Sequence, residues 1–428
     1  MSYPKFLSLR KDPPVGEANR VNLPTLSAED LADVPLIIPG QGVFLFTTIS
    51  ATNSATNSAS SDSCSYSIMN AAQTDGIIVE WMSDKVQVMR STSLIPYVDP
   101  TNSKGLTDKK EAFYWFSIDA QNQRLYAGVG EARKETKVYE YILSYATDDE
   151  RKANKAFLES LTTIGSFKQV TPLKLLRDPI TNALPHRVKH ELSLDALAKG
   201  LYMPKSHLSA VSQQMYECVQ HCVLDTDDFP EFSQAIKQSI ADGWCKERLL
   251  EKSGEFSKED PNVDETYLRI TLGENNGESP GIPYVLEIWP AGHYSPIHSH
   301  GGAEAIIKVL HGDIHVKLFP FLSDSCDSFL SADFTKDDLA WISPNLNQTH
   351  QLQNRSAEEP CMTIQCYMYD KEDTTHYDYF NYLDNTNTVQ KYEPDSDMDF
   401  VAFKELMREE WYNRKPNTMF SCLRMFHM

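Results

Sequence analysis

Two histidines one residue apart, His298 and His300, follow Gly292 at the end of a strand-like run, Tyr284–Pro290. On a β-strand positions i and i+2 project to the same face, so the pair sets two imidazoles side by side. A third, His350, sits 50 residues beyond His300, just after another strand-like run. Three neutral imidazoles hold a divalent first-row metal and leave coordination positions open for a substrate and O2.

The elements that must position these groups alternate with turns. Residues Tyr267 to Tyr369 read as β, and Thr363, Gln365 and Tyr367 put a hydroxyl, an amide and a phenol on one face of a strand. Ahead of them the spacing predicts helices over Ser193–Gly200, Ser206–Leu224, Phe229–Asp242 and Lys246–Gly254. In the second, Val211, Met215, Cys218, Val219 and Cys222 recur at helical spacing. A further helix is expected over Met398–Trp411, with Phe400, Phe403, Met407 and Trp411 on one side. Two prolines and turn residues in Arg177–Pro185 suggest a boundary between domains 1–185 and 186–428, and the length favours two cores. The first half reads as an antiparallel β-sandwich, with strands expected at Val43–Ile49, Gly76–Met82, Val86–Met89, Ala112–Ile118 and Arg124–Val129, a helix at Thr147–Leu161 and a returning strand at Gln169–Leu176. The small polar repeat Ser50–Ser63 has nothing to bury and reads as a solvated loop.

The segment Gly292-His-Tyr-Ser-Pro-Ile-His298-Ser-His300-Gly-Gly-Ala-Glu304-Ala305, with Gly312 beyond it, resembles the first signature of the cupin superfamily. His350 with Asn354 and Pro344 partly matches the second, Pro344 lying one residue further upstream than the usual pattern. Residues 190 to 385 resemble cysteine dioxygenase, a thiol dioxygenase of that fold. The resemblance is carried by Tyr267-Leu-Arg269 upstream of the histidines and by His350-Gln-Leu-Gln-Asn…Glu359-Pro360-Cys-Met-Thr363-Ile-Gln365-Cys-Tyr367 downstream.

It implies a jelly-roll barrel with a helical lead-in and Fe(II) on His298, His300 and His350. It also implies conversion of cysteine or a related small carboxylated thiol to the sulfinic acid with O2. Arg269 would grip the substrate carboxylate, with Tyr267 and Tyr367 at the substrate and Thr363 and Gln365 behind the phenol. Two positions depart from the family pattern. Ala305 stands where animal members carry the cysteine joined to the tyrosine, and Gln365 stands where the family has a histidine; glutamine hydrogen-bonds but takes up no proton. Glu304 lies one residue before the general cupin glutamate, and alternation turns it away from the metal unless a bulge reverses the face. Two other readings stay open: another metal-dependent cupin enzyme with a different substrate, or a non-catalytic cupin sensor or interaction protein.

A formal charge of −20 argues against a nucleic-acid partner, and no apolar run is long enough for a bilayer span. Met1–Lys11 lacks the apolar stretch of a signal peptide, and the eight scattered cysteines read as reduced thiols, so a cytoplasmic setting is expected. Ala112-Phe-Tyr-Trp115-Phe-Ser117-Ile-Asp119-Ala and Arg124-Leu-Tyr-Ala-Gly128-Val-Gly130-Glu-Ala resemble the domain named after farnesoic acid O-methyltransferase, over residues 15 to 180. No nucleotide-binding loop accompanies them, since Gly128-Val-Gly130 lacks the third glycine and the following helix. The resemblance implies a sandwich serving as a scaffold or contacting a protein, lipid or carbohydrate. Cys218, His221 and Cys222 lie at i, i+3 and i+4, but no partner cluster follows, and a packed helix face is expected. His311 and His315 read as surface or supporting groups, and His293 is a candidate for the pocket mouth. The glycosylation patterns at Asn347 and Asn354 flank His350 and read as coincidence.

Overall fold

The structure is a computed structural model. It describes residues 6–8 (backbone only), 33–48, 63–94, 96–107, 112–256, 260–272, 284–323, 326–368 and 380–414. The loop expected at Ser50–Ser63 (apart from Ser63), Tyr377–Tyr379, Cys422 and the end of the C-terminal tail lie outside the described residues. The chain forms two compact units, Met1–Pro185 with Ser325–Phe329, and His186–Asp324 with Leu330–Met428.

The N-terminal unit is an antiparallel β-sandwich of two six-stranded sheets. Strands Gln41–Thr48, Tyr114–Asp119 and Arg124–Val129 lie side by side in one sheet. Cys64–Asn70, Gly76–Trp81 and Val86–Arg90 form the middle of the other. Phe44 and Phe46 of the first sheet meet Tyr66 of the second, with ring centroids 5.1 and 5.3 Å away, and Phe46 meets Trp81 at 5.7 Å. Val43, Leu45, Trp115 and Tyr126 form a second buried cluster on the other face of that sheet. This double burial is why Tyr114–Asp119 is buried throughout rather than at alternate positions. Gly128 lies against the Trp115 ring, where an added Cβ would come within 2.2 Å of it, so its glycine serves packing. The helix Asp148–Glu159 starts on Thr147, whose hydroxyl accepts from the Glu150 amide at 3.2 Å, and three acids in its first turn suit the helix dipole.

The C-terminal unit is a jelly-roll barrel preceded by helices. Its strands are β1 (Leu268–Thr271), β2 (Tyr284–Trp289), β3 (His298–Ser299), β4 (Glu304–His311), β5 (Asp313–Phe319), β6 (Leu330–Thr335), β7 (Leu339–Ile342), β8 (Thr349–Gln353), β9 (Cys361–Met368) and β10 (Phe380–Leu383). One sheet orders β7, β4, β9, β2 and β1, and the other β6, β5, β8, β3 and β10. From β2 onward the chain crosses from sheet to sheet, apart from the β5–β6 hairpin, which is the winding of a jelly roll. The signature glycines fit this path. Gly312 turns β4 into β5 at φ +69°, and an added Cβ there would meet the Pro360 carbonyl oxygen at 2.5 Å; Gly292 turns at φ +85°.

The lead-in helices are α1 (Leu194–Ala198), α2 (Ala210–Val219), α3 (Phe232–Asp242) and α4 (Trp244–Glu251). Helix α2 packs on β4 and β9 through Val211, Met215 and Val219. The packed face expected to include Cys218 and Cys222 is corrected here: Cys218 and His221 are exposed, Cys222 is partly buried, and the helix ends at Val219. A final helix, α5 (Phe400–Arg414), buries Phe403 and Met407 and packs on α3.

Candidate metal centre

The three histidines converge because β3 and β8 are neighbours. His298 faces His350 directly across the antiparallel ladder, and His300 follows just beyond the end of β3. The ligating nitrogens of all three lie within 4.8 Å of one another, and all three residues are buried. His300 Nε2 and His350 Nε2 are 3.1 Å apart. Two nitrogens bound to one metal at roughly 2.0–2.1 Å would be spaced much like this.

The tautomers suit a metal. His298 Nδ1 lies 3.1 Å from the Pro296 carbonyl, which accepts only from Nδ1–H and so leaves Nε2 with a free lone pair. Among the described residues the far nitrogens of His300 and His350 have no hydrogen-bond partner. Rings pack around His300: Tyr367 stacks on it at 5.4 Å, and Phe380 meets the same ring edge-on at 4.6 Å. Burial pushes the His298 pKa down to about 4 and holds His300 and His350 well below the ordinary range, with the Arg269 cation adding to the effect at His298 and His300. All three are therefore neutral at pH 7, as metal ligation requires.

This burial has a testable consequence in metal-free protein. An unfolded histidine binds a proton below pH 6.5, whereas folded His298 does so only near pH 4. Between those values the unfolded state binds more protons, so stability is present above pH 6.5 and is lost as pH falls toward 4. For His298 alone the loss between pH 7.5 and pH 5 is about 2 kcal/mol. Glu287 works in the opposite direction, since burial raises its pKa to about 7. The His298 share is therefore read as the difference in urea midpoint shift between wild type and His298→Gln; equal shifts in the two proteins would contradict it.

Beside the histidines runs a buried polar chain. Arg269 on β1 sits opposite Glu287 on β2, and its Nη1 donates to Glu287 Oε1 at 2.6 Å, both side chains being within 3% of full burial. Gln365 Nε2 donates to Glu287 Oε2, and Tyr367 Oη donates to Gln365 Oε1. Thr363 touches the same amide at 3.4 Å. The sequence reading made Arg269 an open clamp for a substrate carboxylate; in the structure its guanidinium already holds a carboxylate of the protein. Tyr267 stacks on Trp289 at 4.1 Å, each two residues from the Arg269–Glu287 pair.

Ala305 faces Tyr367 across the β4–β9 ladder, so the position that would carry the crosslinking cysteine is adjacent to the phenol and offers only a methyl group. Glu304 points out of the barrel and accepts from the Ser212 hydroxyl at 2.7 Å and from Ser209 at the start of α2. It is not part of the histidine group, as alternation suggested. His293 lies against the Thr266 carbonyl at 2.9 Å, His315 against Asp333 and Ser331, and His311 3.9 Å from Glu359. Asn347 and Asn354 are fully buried and donate to backbone carbonyls, which leaves neither amide open to a glycan. Behind His350 the barrel interior is apolar, with a cavity lined by Ile307, Val309, Ile314, Val316 and Phe334.

Sequence reasoning missed Glu287; it offered aromatic and acidic residues near Tyr377–Tyr382 as an edge of the pocket, and Phe380 of that stretch is the one that meets His300. The signal for Glu287 was a single acid inside the otherwise apolar run Tyr284–Trp289, every residue of which but the first is buried.

No family model and no curated protein matches the chain. Among solved structures, the cupin domain of Schizosaccharomyces pombe Cnp3 is 14% identical, with a TM-score of 0.20 over 24% of this chain and 65% of that one. A cupin domain of an XRE family transcriptional regulator from Enterobacter cloacae is 15% identical, with a TM-score of 0.20 over 24% of this chain and 98% of that one. A cupin-superfamily sugar phosphate isomerase from Silicibacter pomeroyi is 16% identical, with a TM-score of 0.21 over 30% and 80%. Likenesses this slight decide nothing about activity, and the fold stands on its own sheet order. Among the described residues no helix is long and apolar enough to cross a membrane.

Proposed function

We propose that the C-terminal unit is an iron-dependent thiol dioxygenase, with Fe(II) held by His298, His300 and His350. The observation that carries this reading is the convergence of three neutral, buried imidazoles from two adjacent strands onto one point. Bound there, Fe(II) would supply open coordination positions, a redox centre able to activate O2, and a positive charge that favours a thiolate over a thiol.

The reaction balances with no further reductant. The S–H and O–O bonds break, both oxygen atoms form bonds to sulfur, sulfur gives up four electrons that O2 accepts, and the products are a sulfinate and one proton. The chain's own groups set the surroundings. The Tyr367 phenol is fixed by its hydrogen bond to Gln365, and its ring lies on His300. Phe380 and the apolar interior behind His350 keep bulk water from that space. Gln365 directs the phenol but takes up no proton, so the thiol proton leaves toward solvent. The N-terminal sandwich we assign a scaffold or binding role, its aromatic core serving its own packing.

The test is iron-loaded protein given a panel of small thiols, with O2 uptake followed by electrode and products by mass spectrometry. The expected result is metal-dependent formation of a product 32 Da heavier than the thiol, the mass of the O2 it gains. Baseline O2 consumption with every thiol, in protein carrying one iron per chain, would overturn the proposal.

A further inference from the structure

We infer that Glu287 occupies the place of a substrate carboxylate at Arg269, so that the pocket takes a small thiol without a carboxylate, amine-bearing or uncharged. This rests on the thiol-dioxygenase reading and narrows its substrate class.

The geometry carries the step. Arg269 and Glu287 are opposite one another in the β1–β2 ladder, so their contact is built into the register of the barrel. The pair is buried, and one carboxylate oxygen takes the guanidinium at 2.6 Å while the other takes the Gln365 amide. Gln365 in turn holds Tyr367, whose ring lies on His300. The guanidinium thus reaches the metal centre through a chain of protein groups that already contains the anion it needs. A substrate carboxylate arriving here would be stripped of water beside a pair with no net charge. It would also set a second anion against Glu287, a like-charge contact in a medium of low dielectric. An amine or a hydroxyl meets neither penalty, and an ammonium is drawn to the carboxylate.

The experiment uses the full chain loaded with Fe(II) under anaerobic conditions. Binding of 3-mercaptopropionate, 2-aminoethanethiol and 2-mercaptoethanol is measured by calorimetry, and turnover is then measured in air. At least one of the two carboxylate-free thiols is expected to bind at least tenfold more tightly than 3-mercaptopropionate. Glu287→Gln keeps the shape and removes the anion, and it should improve 3-mercaptopropionate binding at least tenfold relative to the other two. Equal or tighter binding of 3-mercaptopropionate to the wild type overturns the inference, because the carboxylate then displaces Glu287 or shares Arg269 with it. A preference that is unchanged in folded Glu287→Gln overturns it as well. If Glu287→Gln does not fold, the wild-type ratio alone decides. Protein that carries iron but neither binds nor oxidises any of the three sinks the dioxygenase reading, and this assignment with it.

Discussion

Changing His350 to alanine is expected to reduce bound iron from about one per chain to a trace and to abolish thiol-dependent O2 uptake. The metal-site geometry is a chelate: His298 and His350 are register partners, and His300 Nε2 sits 3.1 Å from His350 Nε2. With His350 gone the other two imidazoles remain, but the position bridging β3 and β8 is lost. Removing a group that merely orients a ligand already weakens metal binding roughly 10- to 100-fold, so loss of a ligand should exceed roughly 100-fold. The effect also shows in stability. A metal supplied at a hundred times its dissociation constant stabilises the folded state by about 2.7 kcal/mol. Wild-type protein should gain that increment on adding Fe(II), and His350→Ala should gain almost none. The check is metal analysis after gel filtration together with thermal unfolding with and without Fe(II). Near-stoichiometric iron in His350→Ala would show that the ion is held elsewhere.

The three-histidine cluster was legible because two simple regularities bring it together. Strand alternation puts His298 and His300 on one side, and a later strand end carries His350, so little tertiary information is needed. Glu304 was legible for the same reason, since alternation turns it outward, where Ser209 and Ser212 meet it. Other features depend on what pairs with what. Helix α2 was expected to run to Leu224, because its apolar spacing continues. It stops at Val219, and just beyond, the carbonyls of Gln220 and Cys222 turn to the Lys308 ammonium of β4, at 2.8 and 2.9 Å. No local pattern announces that contact.

The strands Cys64–Asn70, Lys137–Ile142 and Leu161–Lys168 went unassigned, and only the last of them, with three apolar residues in eight, is poor in apolar residues. Leu161–Lys168 is held largely by its ladder with Cys64–Asn70 rather than by its own composition. Glu287 was hidden in the same way. Its residue type was visible, but its meaning comes from facing Arg269 in a register set by the whole barrel. The carboxylate grip assigned to Arg269 followed from residue type and spacing; which carboxylate it would meet did not.

That pairing sets the second large effect. Glu287→Ala should destabilise the C-terminal unit by about 3–5 kcal/mol, the usual consequence of leaving a buried charge without its partner. The cost should be asymmetric between the two partners. Arginine stays protonated at any working pH and has no neutral form to retreat to. Glutamate does: burial already lifts the Glu287 pKa to about 7, with Arg269 and then Lys252 drawing it down from a higher value. Take away Arg269 and the carboxyl can bind a proton and sit in the barrel uncharged. Arg269→Met should therefore be clearly destabilising at pH 8 and milder at pH 5, where the protonated acid is favoured. Glu287→Ala should show no such relief on acidification from this pair, because the stranded charge is the guanidinium. The double variant Arg269→Met/Glu287→Leu replaces the ion pair with apolar groups of similar bulk and is expected to lie within about 2 kcal/mol of wild type, or above it. Urea midpoints of the C-terminal unit for the four proteins at pH 5 and pH 8 check all of this. A Glu287→Ala midpoint matching wild type at both pH values would mean that Arg269 is not relying on Glu287 for its charge balance. In that case the space beside Tyr367 is open to an incoming carboxylate.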